Sequence, residues 1–181
     1  DRPLASNKIK TINALVFLLV QLLIGLLILV QFNKLTIIIG SLALIPVFIY
    51  PLMKRVTWWP QIFLGITFNW GALLGWLSLS NDFSSIYPIL LYLACIFWTV
   101  GYDTIYAHQD KDDDIVLNLK SSAIKLGENT KNALLIFYAI FFIIFAVILF
   151  SLSYSIIIHL AILSLLIHLV FQMQLKTLLD L

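Results

Sequence analysis

Six apolar stretches, each close to the length of one helical crossing of a bilayer, limit what this chain can fold into more than any other feature. A hydrocarbon core about 30 Å thick needs roughly 20 apolar residues per helix, and residues 12–30, 35–53, 59–79, 86–107, 133–152 and 155–171 qualify. Lipid offers no partner to an open strand edge, so all six are expected as helices. The fold class is therefore all-α, a polytopic transmembrane helix bundle forming one membrane domain over residues 1–181. Composition agrees, with 62% hydrophobic and 11% charged residues, beyond the roughly half-apolar usage of soluble domains.

The interruptions fall at Asn33-Lys34, at Lys54-Arg55 before Pro60, at Asn81-Asp82, over a polar stretch from Gln109 to Lys131, and at Leu152-Ser153-Tyr154. Pro46 and Pro51 are expected to bend or end the second helix. Gly71 and Gly75, in "GALLG", are expected to allow close helix contact.

Ten of the eleven Lys and Arg residues fall on the face that holds the N-terminus and every second connection, and Lys34 alone lies opposite. This bias puts the N-terminal segment, the Lys54-Arg55 loop and the acidic stretch on the cytoplasmic side or its organellar equivalent. A net charge of +2 without a continuous basic stripe argues against a nucleic-acid partner. The lone Cys95 sits in an apolar run and reads as a small buried hydrophobe. The chain starts at Asp1 with no signal pattern, which points to a natural start further upstream.

The most informative polar stretch is "GYDTIYAHQDKDDD", Gly101 to Asp114. On a continuous helix Asp103, Tyr106, Asp110 and Asp114 share one face, while Asp112 and Asp113 point elsewhere. Asp103 would sit about 10 Å deeper than Asp110, where an ionised carboxylate is costly and functional by default. Asp110 and Asp114, one turn apart, would repel each other without a cation. Mg²⁺ suits them, because it takes oxygen ligands and is usually held by one or two carboxylates, with water and substrate phosphates completing its shell. A diphosphate ligand follows. No Cys or His spacing suits zinc, and calcium would want a richer loop. A solvated acidic loop is the alternative reading of "DKDDD" by itself; Asp103, in register and flanked by Tyr102 and Tyr106, favours the metal. Residues 115–126 alternate apolar and polar character and end at Gly127, which predicts a short interfacial helix suited to act as a lid within the acidic loop of 108–131.

Three blocks, in order, carry a family resemblance: "DRPLAS" at the start, "YPLMKRVTWWPQIFLGITFNWG" in the centre, and "YDTIYAHQDKDDD" followed by "LKSSAIKLGE". Together they resemble the UbiA superfamily of intramembrane aromatic prenyltransferases, most closely the branch that prenylates 4-hydroxybenzoate in ubiquinone biosynthesis. The resemblance implies Mg²⁺-dependent transfer of a polyprenyl group from polyprenyl diphosphate to the 4-hydroxybenzoate ring, in a bacterial or mitochondrial inner membrane. It also implies nine helices, of which these six are the third to the eighth. The first aspartate-rich motif would lie outside the chain, which alone is expected to be an incomplete enzyme.

Residue by residue, the resemblance makes Asp110 and Asp114 the Mg²⁺ ligands, with Asp103 and Tyr106 beside them in the motif. Lys54 and Arg55 match the central basic pair, and contact the diphosphate or the carboxylate of the aromatic acid. Lys120 is a further anion contact. Asp103 withdraws the phenolic proton or orients a tyrosine, while Tyr102, Tyr106, Trp98 and Trp70 are available to shield a carbocation. Asn69 departs from the pattern, standing where a glycine or another small residue is usual. The competing readings are a prenyltransferase of menaquinone or haem side chains, or a non-enzymatic membrane module whose acidic loop binds a cation. Charge concentrated at one face favours an enzyme.

Overall fold

The structure is a computed structural model that describes residues 3, 4, 6, 8–80, 82–153 and 155–178, without the side chains of 169, 170 and 172–178. Asp1, Arg2 and Ala5 of the first block, Asn81 and Tyr154 at two expected breaks, and the side chain of Lys176 lie outside the described residues.

The first span is α1, Thr11–Leu29. A turn follows in which Asn33 caps α2, Lys34–Leu42, its side-chain oxygen accepting from the Thr36 amide at 2.9 Å and hydroxyl at 3.0 Å. The second span is interrupted, as its prolines demand. It continues as α3, Leu44–Ile49, a 3-10 turn at Tyr50–Leu52, and α4, Met53–Val56. Pro60 opens α5, Pro60–Phe68, in the first helical turn, where the missing N–H costs nothing.

The third span breaks at Asn69-Trp70 and resumes as α6, Gly71–Ser80. Two breaks of this kind in membrane-length segments need partners for the freed carbonyls. At the third span they come from the fourth, α7, Tyr87–Ala107. The Tyr92 hydroxyl donates to the Ile66 carbonyl at 2.7 Å. The Asn69 amide nitrogen faces the Gly65 carbonyl at 2.9 Å, the Cys95 carbonyl at 3.1 Å and the Thr99 hydroxyl at 2.7 Å.

Beyond α7 come two short helices, α8, Lys111–Val116, and α9, Ser122–Leu126, then a 3-10 turn at Gly127–Asn129. The long α10, Thr130–Ser151, and α11, Ile156–Leu178, complete the chain. α7 is the centre of the bundle, packed chiefly on α10 and α5. Gly101 makes the first contact possible, since a Cβ there would lie 2.8 Å from the Tyr138 ring. Trp98 packs on Tyr138 and Phe141, with centroids 5.3 and 5.0 Å away, and lines an apolar cavity with Phe142, Phe145 and Ile162.

Among the described residues, five helical segments are long and apolar enough to cross a membrane: Thr11–Leu29, Lys34–Val56, Pro60–Ser80, Tyr87–Ala107 and Ser122–Ser151. The expected sixth is helical as well, with a shorter apolar stretch at Ile156–His168. The outer surface is covered with large exposed apolar side chains, as lipid requires. The glycine expectation needs correcting. A Cβ on Gly71 or Gly75 would meet nothing within 4 Å, whereas one on Gly65 would lie 3.2 Å from the Ile96 backbone. Close helix contact is made at Gly65 and Gly101 instead.

Candidate functional site

The acidic stretch is not one continuous helix. α7 ends at Ala107, and His108 holds the turn that follows: its Nδ1 lies 2.9 Å from the Thr104 carbonyl and its Nε2 3.2 Å from the Thr130 hydroxyl. Asp110 is then the N-cap of α8, and Asp114 sits one turn inside, its amide donating to the Asp110 carbonyl at 2.8 Å. The turn separates two carboxylates that a straight helix would have left alike. Asp110 is exposed, while Asp114 is only 3% exposed.

A carboxylate that deeply buried needs compensation, and Lys54 supplies it. The ammonium at the end of α4 donates to both oxygens of Asp114, at 3.1 and 3.2 Å. Asp103, in the last turns of α7, lies within the electrostatic reach of both Lys54 and Asp110. Tyr50 lies near Asp103 and Tyr102. The second-span break, the end of α7 and the start of α8 thus converge on one cluster: Tyr50, Lys54, Tyr102, Asp103, Asp110 and Asp114.

The segment after α8 is tied down from below. Leu119 donates its amide to the Asp114 carbonyl at 2.8 Å, and Lys120 donates its own to the Lys54 carbonyl at 2.7 Å. The Lys120 ammonium reaches the Val56 carbonyl at 3.0 Å and lies 5.7 Å from the centre of the Trp58 ring. Ser121 caps α9 by accepting from the Ile124 amide. The Thr104 and Ser122 hydroxyls are 2.8 Å apart, and the Ser122 amide reaches the Gln61 side chain at 3.4 Å. The single interfacial helix expected over 115–126 is therefore two helices. Asn118, at φ 52°, turns the chain between them in the left-handed region, and α9 ends at Gly127, where φ is 51°. Ser121, Ser122 and Ala123 are wholly buried, whereas Ile115, Val116 and Leu117 are exposed.

Not every residue expected at the site joins the cluster. Arg55 is exposed and makes no hydrogen bond or ion pair among the described residues. Tyr106 is exposed and meets Tyr102 edge-on at 6.4 Å. Trp98 packs into the core, and Trp70 donates its indole N–H to the Ile39 carbonyl at 3.0 Å while meeting Tyr92 edge-on. Tyr50 was the residue sequence reasoning passed over. Its signal was its place one helical turn before Lys54 in "YPLMKR".

The donor set available to a cation is oxygen only: Asp110, Asp114 and, more distantly, Asp103. Among the described residues no group of three or more His, Cys, Asp or Glu side chains is arranged to hold a metal by itself. Such a pair is poor for zinc and fits Mg²⁺, which takes one or two carboxylates and draws the rest of its shell from water and phosphate.

The profile of the UbiA prenyltransferase family matches residues 1–180. The protein named "4-hydroxybenzoate polyprenyltransferase, mitochondrial" of Drosophila melanogaster is 54% identical over 130 residues, which are 72% of this chain and 33% of that protein. Proteins of the same name from Arabidopsis thaliana and Homo sapiens are 50% and 48% identical, over 72% of this chain and 32% and 35% of theirs. The chain thus spans about a third of the length of these relatives. The apo structure of a UbiA homolog from Aeropyrum pernix K1 superposes with a TM-score of 0.81 over 98% of this chain and 68% of that one, at 23% identity. The two share a fold.

Proposed function

The chain belongs to the UbiA prenyltransferase family, and on that premise we propose that it carries one cation-binding arm of an enzyme transferring a polyprenyl group from polyprenyl diphosphate to the ring of 4-hydroxybenzoate. About half of the aligned residues are shared with relatives bearing that name. The observation that carries the reading is the buried Asp114 with both oxygens turned to Lys54, Asp110 one turn before it and Asp103 in the same field.

Asp110 and Asp114 are the residues to hold Mg²⁺. When bound, the ion supplies positive charge to the diphosphate as the allylic C–O bond ionises. Lys54 is the cation for the diphosphate oxygens. Arg55, exposed and unpaired among the described residues, suits the carboxylate of the aromatic acid. Lys120 adds to the positive field while fixing the segment above α9. Asp103 accepts the phenolic proton, so that the ring carbon ortho to the hydroxyl bonds the allylic carbon as the diphosphate leaves with the C–O electron pair; that ring carbon then loses its hydrogen as a proton, which restores the aromatic ring, and the proton on Asp103 returns to the phenolic oxygen. The faces of Tyr102 and Tyr106 stabilise the cation. The exposed Ile115, Val116 and Leu117 form the covering element that excludes water; the start of α9, with Ser122 and Ala123 buried, stays in place. We assign the chain to a mitochondrial or bacterial inner membrane, with the acidic arm on the matrix or cytoplasmic side.

The test is a membrane assay of the full-length protein with labelled prenyl diphosphate and 4-hydroxybenzoate, with and without Mg²⁺. Asp110→Asn and Asp114→Asn should each lower turnover at least about a hundredfold, the scale set by losing charge stabilisation in the transition state. Near-normal product from both would refute the ligand assignment.

A further inference from the structure

We infer that Lys54 is a removable counter-ion: its ammonium holds the carboxylate of Asp114 in place of a divalent cation, and it must leave Asp114 before a metal diphosphate can bind. The inference rests on the reading of Asp114 as a metal ligand and adds an exchange that couples the two ligands.

Both oxygens of Asp114 lie 3.1–3.2 Å from Nζ of Lys54. A divalent ion approaching either would bring two cations within a few ångströms of each other, where they repel strongly in a medium less polar than water. The two partners differ in freedom. The Asp114 side chain is 5% exposed and that of Lys54 36% exposed, so the lysine is the partner with a path outward. Its backbone is pinned, because its carbonyl accepts from Lys120 at 2.7 Å, which confines the movement to the side chain. Four methylenes give that side chain the necessary reach.

Metal alone must then displace the ammonium and leave it only the more distant Asp103, because Asp110 is engaged by the metal as well. Diphosphate supplies the new partner. Metal and diphosphate therefore bind with positive coupling, and each tightens the other equally.

The full-length protein in lipid nanodiscs at pH 8 is titrated with Mn²⁺, and the free ion is followed by electron paramagnetic resonance, with and without inorganic pyrophosphate. Lys54→Gln, which removes the competing ammonium, should bind Mn²⁺ alone about tenfold more tightly than wild type, within the usual range of coupling between sites. It should also lose most of the tightening that pyrophosphate gives wild type. Unchanged or weaker Mn²⁺ binding by Lys54→Gln overturns the exchange. Asp114→Asn tests the underlying reading separately: if it leaves Mn²⁺ binding intact, Asp114 is not a ligand, whatever Lys54 does. Lys54→Arg keeps the pair and should bind as wild type does.

A second measurement needs no variant. A membrane-soluble carbodiimide should join Lys54 and Asp114 by an amide, detected by peptide mass, and Mn²⁺ with pyrophosphate should suppress it. Failure of the link to form, or equal yields in both conditions, overturns the proposal.

Discussion

The first and third spans are nearly equal in length, 19 and 21 residues, and both are apolar enough to cross a membrane, yet they do different work. In α1 no residue is buried, and a Cβ on Gly25 would meet nothing within 4 Å. The third span is interrupted, buries Gln61 and Leu77, brings Gly65 against the Ile96 backbone, and is fastened to α7 through Asn69 and Tyr92. Its Gln61 also reaches the Ser122 amide and so helps to hold the segment over the acidic cluster. Apolar length identifies a helix that can sit in lipid. The polar residues inside the run identify one that is held by its neighbours.

Substitutions can break this contrast. Asn69→Leu should have the largest effect, about 2 kcal/mol, because it removes the side-chain bonds to the Gly65 and Cys95 carbonyls and the Thr99 hydroxyl, in a setting where each interhelical bond is worth roughly 0.6–1 kcal/mol. Thermal unfolding in detergent would register it, and an unchanged midpoint would remove the fastening from the account. Gly65→Ala should cost about 1.5 kcal/mol through overpacking against Ile96, whereas Gly25→Ala, in open space, should be neutral or slightly stabilising. Equal losses from the two would erase the distinction between the spans. Tyr92→Phe removes the donor to Ile66 and should cost about 1 kcal/mol in the same measurement.

The smallest effect is expected at the far end of the third span. There the Ser84 hydroxyl and amide donate to Asp82 at 2.7 and 3.1 Å, and these bonds hold its carboxyl below the usual carboxylate range. A depressed carboxyl stabilises above its ordinary value and loses that contribution as pH falls through the folded value. Ser84→Ala should therefore lower the midpoint slightly at neutral pH and not at all in strong acid.

Much of the fold is legible in the amino-acid sequence. The apolar runs located the first five spans to within a few residues, although the sixth helix continues to Leu178, past the expected end at 171; Pro60 marked the start of α5, and Pro46 and Pro51 announced a broken second span. The break at Asn69 was not readable as a break, because its cause lies in atoms of Cys95 and Thr99 on another helix. The acidic run was read as one helix for a similar reason: the turn at His108 is held by Thr130, 22 residues away. Residue types and spacing pointed to Asp103, Tyr106, Asp110 and Asp114 as a group, and the family resemblance added Lys54. Which of the two carboxylates is buried, and that Lys54 spans 60 positions to meet it, depends on packing that no local pattern encodes.

The fastening at Asn69 also governs how a growing chain can reach the bilayer. Its acceptors on α7 are synthesised 26 and 30 residues later. Released singly by the insertion machinery, the third span would keep only the Gly65 partner of that amide and carry its second N–H unpaired into hydrocarbon. Inserting the third and fourth spans together, as a helical hairpin, removes that cost, because Cys95 and Thr99 arrive with the amide they accept from.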